Sequence, residues 1–261
     1  EHKTQKPSRG IGLKKRQLLI TYFVTIILIY GLWYVLSLLL GSNLLPDPFV
    51  VLRQGVLELD KAPFWSHVGL SLYRILAGLF FGFILAVPIG LFLGSNERFD
   101  RLFAPLIYLG YPIPKIVLMP IIFVLFGLGD LGKIVLITMI IFFQLLITTR
   151  DSARKISKEV IYSLQSLGGN RWHLYRHVVW PISLPGIFTS LRIGTGTAVA
   201  VLFFVESIAT RKGLGFYIID AWGRADYSTM FVGIIALSCI GIILYEVFDL
   251  LERKLCKWKN I

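Results

Sequence analysis

Charge is what this 261-residue sequence has least of. Charged residues make up 16% of the chain and hydrophobic ones 56%, whereas a soluble globular domain carries about a quarter charged residues. That scarcity excludes an ordinary water-soluble fold, because no compact core shelters so much apolar side chain. Lipid must be the solvent for much of the chain, since a charge in hydrocarbon costs about 2.5–3.5 kcal/mol on insertion scales. Cysteine is nearly absent as well. Cys239 lies in an apolar run and Cys256 in a basic tail, so neither a disulfide framework nor a metal centre is expected. Of four histidines, only His173 and His177 stand one helical turn apart, with no third ligand nearby. No G-x-x-x-x-G-K-S/T phosphate loop occurs, so ATP hydrolysis and a bound cofactor are not expected in this chain. The apolar runs hold no paired acids or Ser/His set, which argues against an intramembrane enzyme.

Long uncharged runs are what is present. Residues 1–17 are polar and basic, and Leu18–Leu40 follows without a charge. At 1.5 Å per residue that run crosses a hydrocarbon core of about 30 Å. It exceeds a signal-peptide core, and Leu45-Pro46-Asp47-Pro48 is no cleavage site, so it reads as a retained first span. Further spans are predicted at 70–93, 102–127, 134–149, 184–207 and 229–251. The stretches 41–66 and 209–228 read as turn-rich and polar. Pro112, Pro114 and Pro120 interrupt the third span, which predicts broken backbone lining a cavity. The organisation is a basic tail (1–17), a six-span domain (18–251) with a polar internal loop at 150–181, and a second basic tail (252–261).

Six spans put both termini on one side. The segments sharing that side (1–17, 94–102, 148–182, 252–261) hold 18 Lys and Arg, and the opposite segments hold 6. The bias places both termini in the cytoplasm of an inner membrane. It also accounts for the net charge of +12 without a nucleic-acid partner.

The loop 150–181 is the most informative stretch. Val160, Ile161, Leu164 and Leu167 recur at helical spacing. Gly168-Gly169 can stop that helix, and Asn170 can cap a second one starting at Arg171. A short apolar helix facing water needs a cover, either the bilayer or a groove on another protein.

At this loop the sequence resembles the coupling loop of ABC importer permeases. Gly168, Val178 and Pro181 fit that pattern, with Trp180 where Leu is usual. The acidic-Ala-Ala triplet that names the pattern falls on Tyr162, Ser163 and Leu164 and is absent. Leu45-Pro46-Asp47-Pro48, Ser71-Leu72-Tyr73-Arg74, Pro114 with Met119-Pro120, Gly213-Leu214-Gly215 and the closing Leu251-Glu252-Arg253-Lys254 with Trp258 extend the likeness over residues 45–259. Together they resemble permeases for aliphatic sulfonates, taurine, nitrate and bicarbonate. The resemblance implies an all-α membrane protein with the type I importer permease fold. Two copies would form the pathway, and two cytoplasmic ATPase subunits carrying ATP and Mg would grip the loops. An external binding protein would deliver substrate. Tyr162, Ser163, Leu164, Leu167, Gly168, Trp172, Tyr175 and Pro181 are then the expected ATPase-coupling residues.

Other positions are weighed on their own chemistry. Gly78 and Gly82, and the stripe Gly186, Ser190, Gly194 and Ala198, have the small-residue spacing of close helix contacts. Ionisable groups at membrane depth are candidates for the translocation pathway. Arg74 and Arg192 lie toward span ends, where snorkelling to the interface also accounts for them. Lys115 sits among the prolines of the broken span. Glu206 is expected to pair with Arg211 or Lys212, or to close an outer gate.

Overall fold

The computed structural model describes residues 9–41 and 44–260, and these contain helices and turns with no strand among them. Residues 1–8 of the basic N-terminal segment lie outside the described residues. Five helices are long and apolar enough to cross a membrane: α1 (Arg9–Leu40), α3 (Ala62–Ser95), α6 (Asp130–Arg154), α9 (Trp180–Ala209) and α11 (Tyr227–Leu255). A bent pair adds a sixth crossing if its halves form one span, and a re-entrant loop if they do not. It consists of α4 (Glu97–Gly110), a 3₁₀ turn (Lys115–Leu118) and α5 (Met119–Phe126), whose halves meet at 77°. Pro112 and Pro114 lie in the break and Pro120 opens α5, where its missing N–H costs nothing.

The connections hold more helix than the sequence suggested. The stretch 41–66 contains α2 (Pro48–Leu59), capped by Asp47, whose carboxylate accepts from Phe49 N–H at 2.7 Å. The stretch 209–228 contains α10 (Leu214–Gly223), whose Leu214, Ile218 and Ala221 are buried. Both are too short for a hydropathy pattern to separate from loop, and packing against α11 stabilises them. Residues 9–17 belong to the first helix, so helical backbone extends into the basic segment.

The core is a three-helix layer with α6 between α3 and α9. Glycines set the first contact. A Cβ on Gly82 would meet Ile141 Cγ2 at 3.0 Å, one on Gly90 would meet Thr149 Cβ at 2.8 Å, and one on Gly94 would reach Arg150 O at 2.4 Å. The small-residue stripe of α9 makes the second. A Cβ on Gly186 would stand 2.1 Å from Ser152 Oγ, Gly194 faces Ile141, Ser190 Oγ approaches Gln144 O at 3.4 Å, and Ala198 is fully buried. Without a hydrophobic gain between helices in lipid, such close backbone approach supplies the attraction. The outward faces remain apolar and exposed, as on α1, where Phe23, Leu28 and Leu39 have no protein cover. α1 is tied down near its C-terminal end, by Trp33 Nε1 donating to Pro46 O (3.2 Å) and Ser37 donating to Leu45 O (2.8 Å).

Candidate functional sites at the two ends of α9

The bundle has two ends, named here by the positive-φ glycines that mark them. At one lies Gly168 (φ +80°), between α7 (Lys158–Ser166) and α8 (Arg171–Leu174); at the other lies Gly213 (φ +118°), between α9 and α10.

The Gly168 end is a projecting knuckle. Positive φ stops α7, and Gly169 N–H returns to Leu164 O at 3.0 Å. Asn170 then caps the next helix, accepting from His173 N–H at 2.9 Å while its own N–H donates to His173 Nδ1. That helix is not separate from the fifth span, as the sequence suggested. It passes through a π turn (Tyr175–Val179) directly into α9. The π turn has a local cause: Pro181 has no N–H, and Trp180 N–H reaches back five residues to Tyr175 O. α8, the π turn and α9 are thus contiguous helical backbone.

The expected coupling residues divide in two. Tyr162, Leu167 and Trp172 are 63%, 84% and 66% exposed, and Ser163 lies on the same open surface. Leu164 instead folds over Gly169, where a Cβ would meet its Cγ at 2.6 Å. Tyr175, in the π turn, rests half-buried against the core. Pro181 is half-buried in the first turn of α9.

Buried ion pairs brace the bundle just inside this end. Arg150 of α6 is 1% exposed and holds Asp100 of α4 by Nε to Oδ1 and by Nη2 to Oδ2 (2.9 Å), with Tyr108 OH at 3.1 Å. Arg192 of α9 binds Asp249 and Glu252 of α11, the latter at 2.9 Å, so it is paired within the bundle and does not snorkel. The closing motif at 251–254 thus contributes Glu252 to packing and is not wholly a loose tail.

At the Gly213 end, two motifs far apart in sequence meet around one carboxylate. Glu206 of α9 is fully buried and Arg74 of α3 is 2% exposed. Arg74 Nη1 donates to Glu206 Oε1 at 2.6 Å and to Lys212 O at 2.9 Å, while Nη2 reaches Asp130 Oδ1 of α6 at 2.5 Å. Ser71 donates to Glu206 Oε2 at 2.8 Å. Three consecutive amides then close the turn. Gly213 N–H donates to His67 Nδ1 (3.0 Å), Leu214 N–H to Ser71 Oγ (2.7 Å) and Gly215 N–H to Glu206 Oε2 (2.9 Å). A Cβ on Gly213 would stand 2.3 Å from Glu206 Cδ, and one on Gly215 would stand 2.6 Å from Glu206 Cβ. Ser71-Leu72-Tyr73-Arg74 and Gly213-Leu214-Gly215 are two halves of this site.

These contacts correct the sequence reading. Arg74 does not snorkel, and Glu206 pairs with it rather than with Arg211 or Lys212. Lys115 is bound at the bend, its Nζ donating to the carbonyls of Gly110 (2.8 Å) and Tyr111 and lying 4.4 Å from the Phe143 ring centre. Lys133 mirrors it after α5, capping the carbonyls of Leu128 and Gly129. Asp100, Asp130, Lys133 and Arg150 were not singled out from sequence. The available signal was their position as ionisable residues at helix ends with opposite charges on neighbouring helices. No group of metal-ligating side chains occurs among the described residues.

The family described as binding-protein-dependent transport system inner membrane component matches residues 78–257. The taurine transport system permease protein of Escherichia coli strain K12 is 31% identical over 249 residues, covering 93% of this chain and 90% of that protein. The riboflavin transport system permease protein of Chloroflexus aurantiacus is 32% identical over 238 residues, with 90% and 89% covered. A bacterial alginate ABC transporter, solved with an alginate-bound periplasmic protein, has a chain of the same fold. That chain aligns at a TM-score of 0.65 and 15% identity, over 96% of this chain and 99% of its own length.

Proposed function

This chain belongs to the family of binding-protein-dependent transport system inner membrane components, the membrane-spanning permeases of ABC importers, and we propose how it is coupled and what it carries. Two copies form the translocation pathway, the Gly168 end faces the cytoplasm with both termini, and an ATPase subunit that binds ATP and Mg grips each knuckle. The Gly213 end faces outward, toward an external binding protein.

The observation that carries this reading is the exposure of Leu167, Trp172 and Tyr162 on a capped turn rigidly continuous with α9. Apolar side chains held outward beyond the crossing helices fit a groove on a separate protein. The dipole of 18 against 6 basic residues supports the cytoplasmic placement of that end. Co-purification tests the grip: the wild-type permease retains its ATPase, and Leu167→Asp releases it while the permease remains folded. Retention of the ATPase by Leu167→Asp would refute the assignment.

The substrate proposed is a small oxyanion such as taurine, another sulfonate or nitrate, supported by the taurine permease relative. A second reading, a vitamin or vitamin precursor, is supported by the riboflavin permease relative and by one structural fact. Arg74, Lys115 and Arg192, the basic residues that would have suited an anionic pathway, are each engaged within the protomer. Ligand-stimulated ATP hydrolysis in the assembled complex separates the two: taurine stimulates under the first, and a neutral aromatic solute under the second.

A further inference from the structure

Resting on the reading of this chain as an importer permease, we propose that Arg74 and Glu206 are positioning residues of the transport cycle: their ion pair is a latch that locks the Gly213–Gly215 turn shut at the outer end and is released when that end opens.

A buried ion pair is a poor means of stabilising a bundle, since well-packed apolar residues do as well or better. Membrane depth raises the cost of such a pair further. What this pair does is specific. The one guanidinium touches α3, α6, α9 and the α9–α10 link together, through Glu206, Asp130 and Lys212 O. The three amides that open α10 are each taken by a side chain, His67, Ser71 and Glu206 in turn. As the first N–H groups of α10 these amides have no helical partner, and the backbone itself holds the turn through Tyr217 N–H donating to Gly213 O at 3.0 Å, so moving Glu206 loosens the start of α10.

The network also reaches outward. Glu206 is sealed, whereas the Asp130 side chain is 45% exposed. Arg74 is therefore shared between a carboxylate hidden in the bundle and one open to solvent. An event at the outer surface that draws Asp130 away changes the balance at the buried pair, and the turn responds. The glycines belong to the device: a Cβ at Gly213 would overlap the Glu206 carboxylate, so the turn closes over that group only without a side chain. The cytoplasmic pairs Arg150–Asp100 and Arg192–Asp249 join long helices to each other and fasten no turn. They brace, and the Arg74 pair latches.

The test has two arms. In the permease alone in lipid nanodiscs, hydrogen exchange of residues 213–215 is compared between wild type and Glu206→Gln, which keeps the side-chain shape and removes the charge that Arg74 holds. Exchange there accelerates by about tenfold or more, with α3 and α6 unchanged, as expected for a local opening. In the complex with ATPase and binding protein, Glu206→Gln hydrolyses ATP without the binding protein at the rate the wild type reaches only with it. The double variant Arg74→Met/Glu206→Met guards against misfolding. It replaces both charges by apolar groups of similar length, assembles normally, and shows the same loss of dependence on the binding protein. A merely structural pair would leave that dependence intact in the double variant, which overturns the proposal, as does unchanged exchange at 213–215. The exchange arm needs no ATPase, so failure of the latch is told apart from failure of the importer reading, which would show as a wild-type chain that assembles with none.

Discussion

Gly78 of α3 lies so close to Ile137 of α6 that a Cβ built on the glycine would stand 2.4 Å from Ile137 Cγ2 and 2.8 Å from Ile137 Cβ. Two backbones meet there with no room for a methyl group, and the obstructing atoms sit at a branched carbon that cannot swing aside.

Gly78→Ala is expected to destabilise the bundle by about 1–3 kcal/mol, the usual cost of overpacking. Gly31→Ala is the contrast: nothing lies within 4 Å of its Cβ position, and removing a helical glycine there gains about 0.5–1 kcal/mol. Thermal unfolding in detergent checks both. Equal melting temperatures for the two variants would refute the packing account.

Asp100→Ala leaves buried Arg150 only the distant Asp151 carboxylate, 3.5 Å away, and is expected to cost about 3–5 kcal/mol, as for other broken buried pairs. Arg154 also reaches Asp100 Oδ2, at 3.2 Å, from a side chain that is 60% exposed, and Arg154→Ala is expected to cost under about 1 kcal/mol. Yield and melting temperature of the purified permease separate the two. A mild Asp100→Ala would mean that water or Tyr108 satisfies Arg150.

Gly168→Val introduces no clash, since nothing lies within 4 Å of its Cβ position, but it strains a backbone held at φ +80°. A left-handed conformation costs a side-chain-bearing residue about 1–2 kcal/mol, and the turn is expected to relax, taking Leu167 and Trp172 out of register. The permease stays folded while uptake falls. Transport at the wild-type rate by Gly168→Val would show that the turn geometry is dispensable.

Lys115→Met removes the donor that caps Gly110 and Tyr111 at the end of α4. Two hydrogen bonds to a charged donor are lost, each worth about 1.5–3 kcal/mol at most, so the bend is expected to loosen. Limited proteolysis or hydrogen exchange over residues 110–118 should report faster opening. Unchanged protection would mean that the prolines alone hold the bend.

The crossing helices were legible because their signal is local: twenty or so uncharged residues have one inexpensive arrangement in a bilayer. Gly168-Gly169-Asn170 announced a turn and a cap by residue type. The helices α2 and α10 were not legible, since short segments owe their helicity to what they pack against. The π turn at Tyr175–Val179, next to Pro181, was not legible either, since no periodicity marks it.

The sequence by itself determined that this chain lives in a membrane, how many times its apolar runs can cross, and where its projecting turn lies, because hydropathy, proline and glycine act through the backbone near them. Only the tertiary structure decided the partners of Arg74, Glu206, Lys115 and Arg192. A long charged side chain buried among helices takes whichever opposite charge or carbonyl the packing brings within 3 Å, and that neighbour lies up to 138 residues away in the chain.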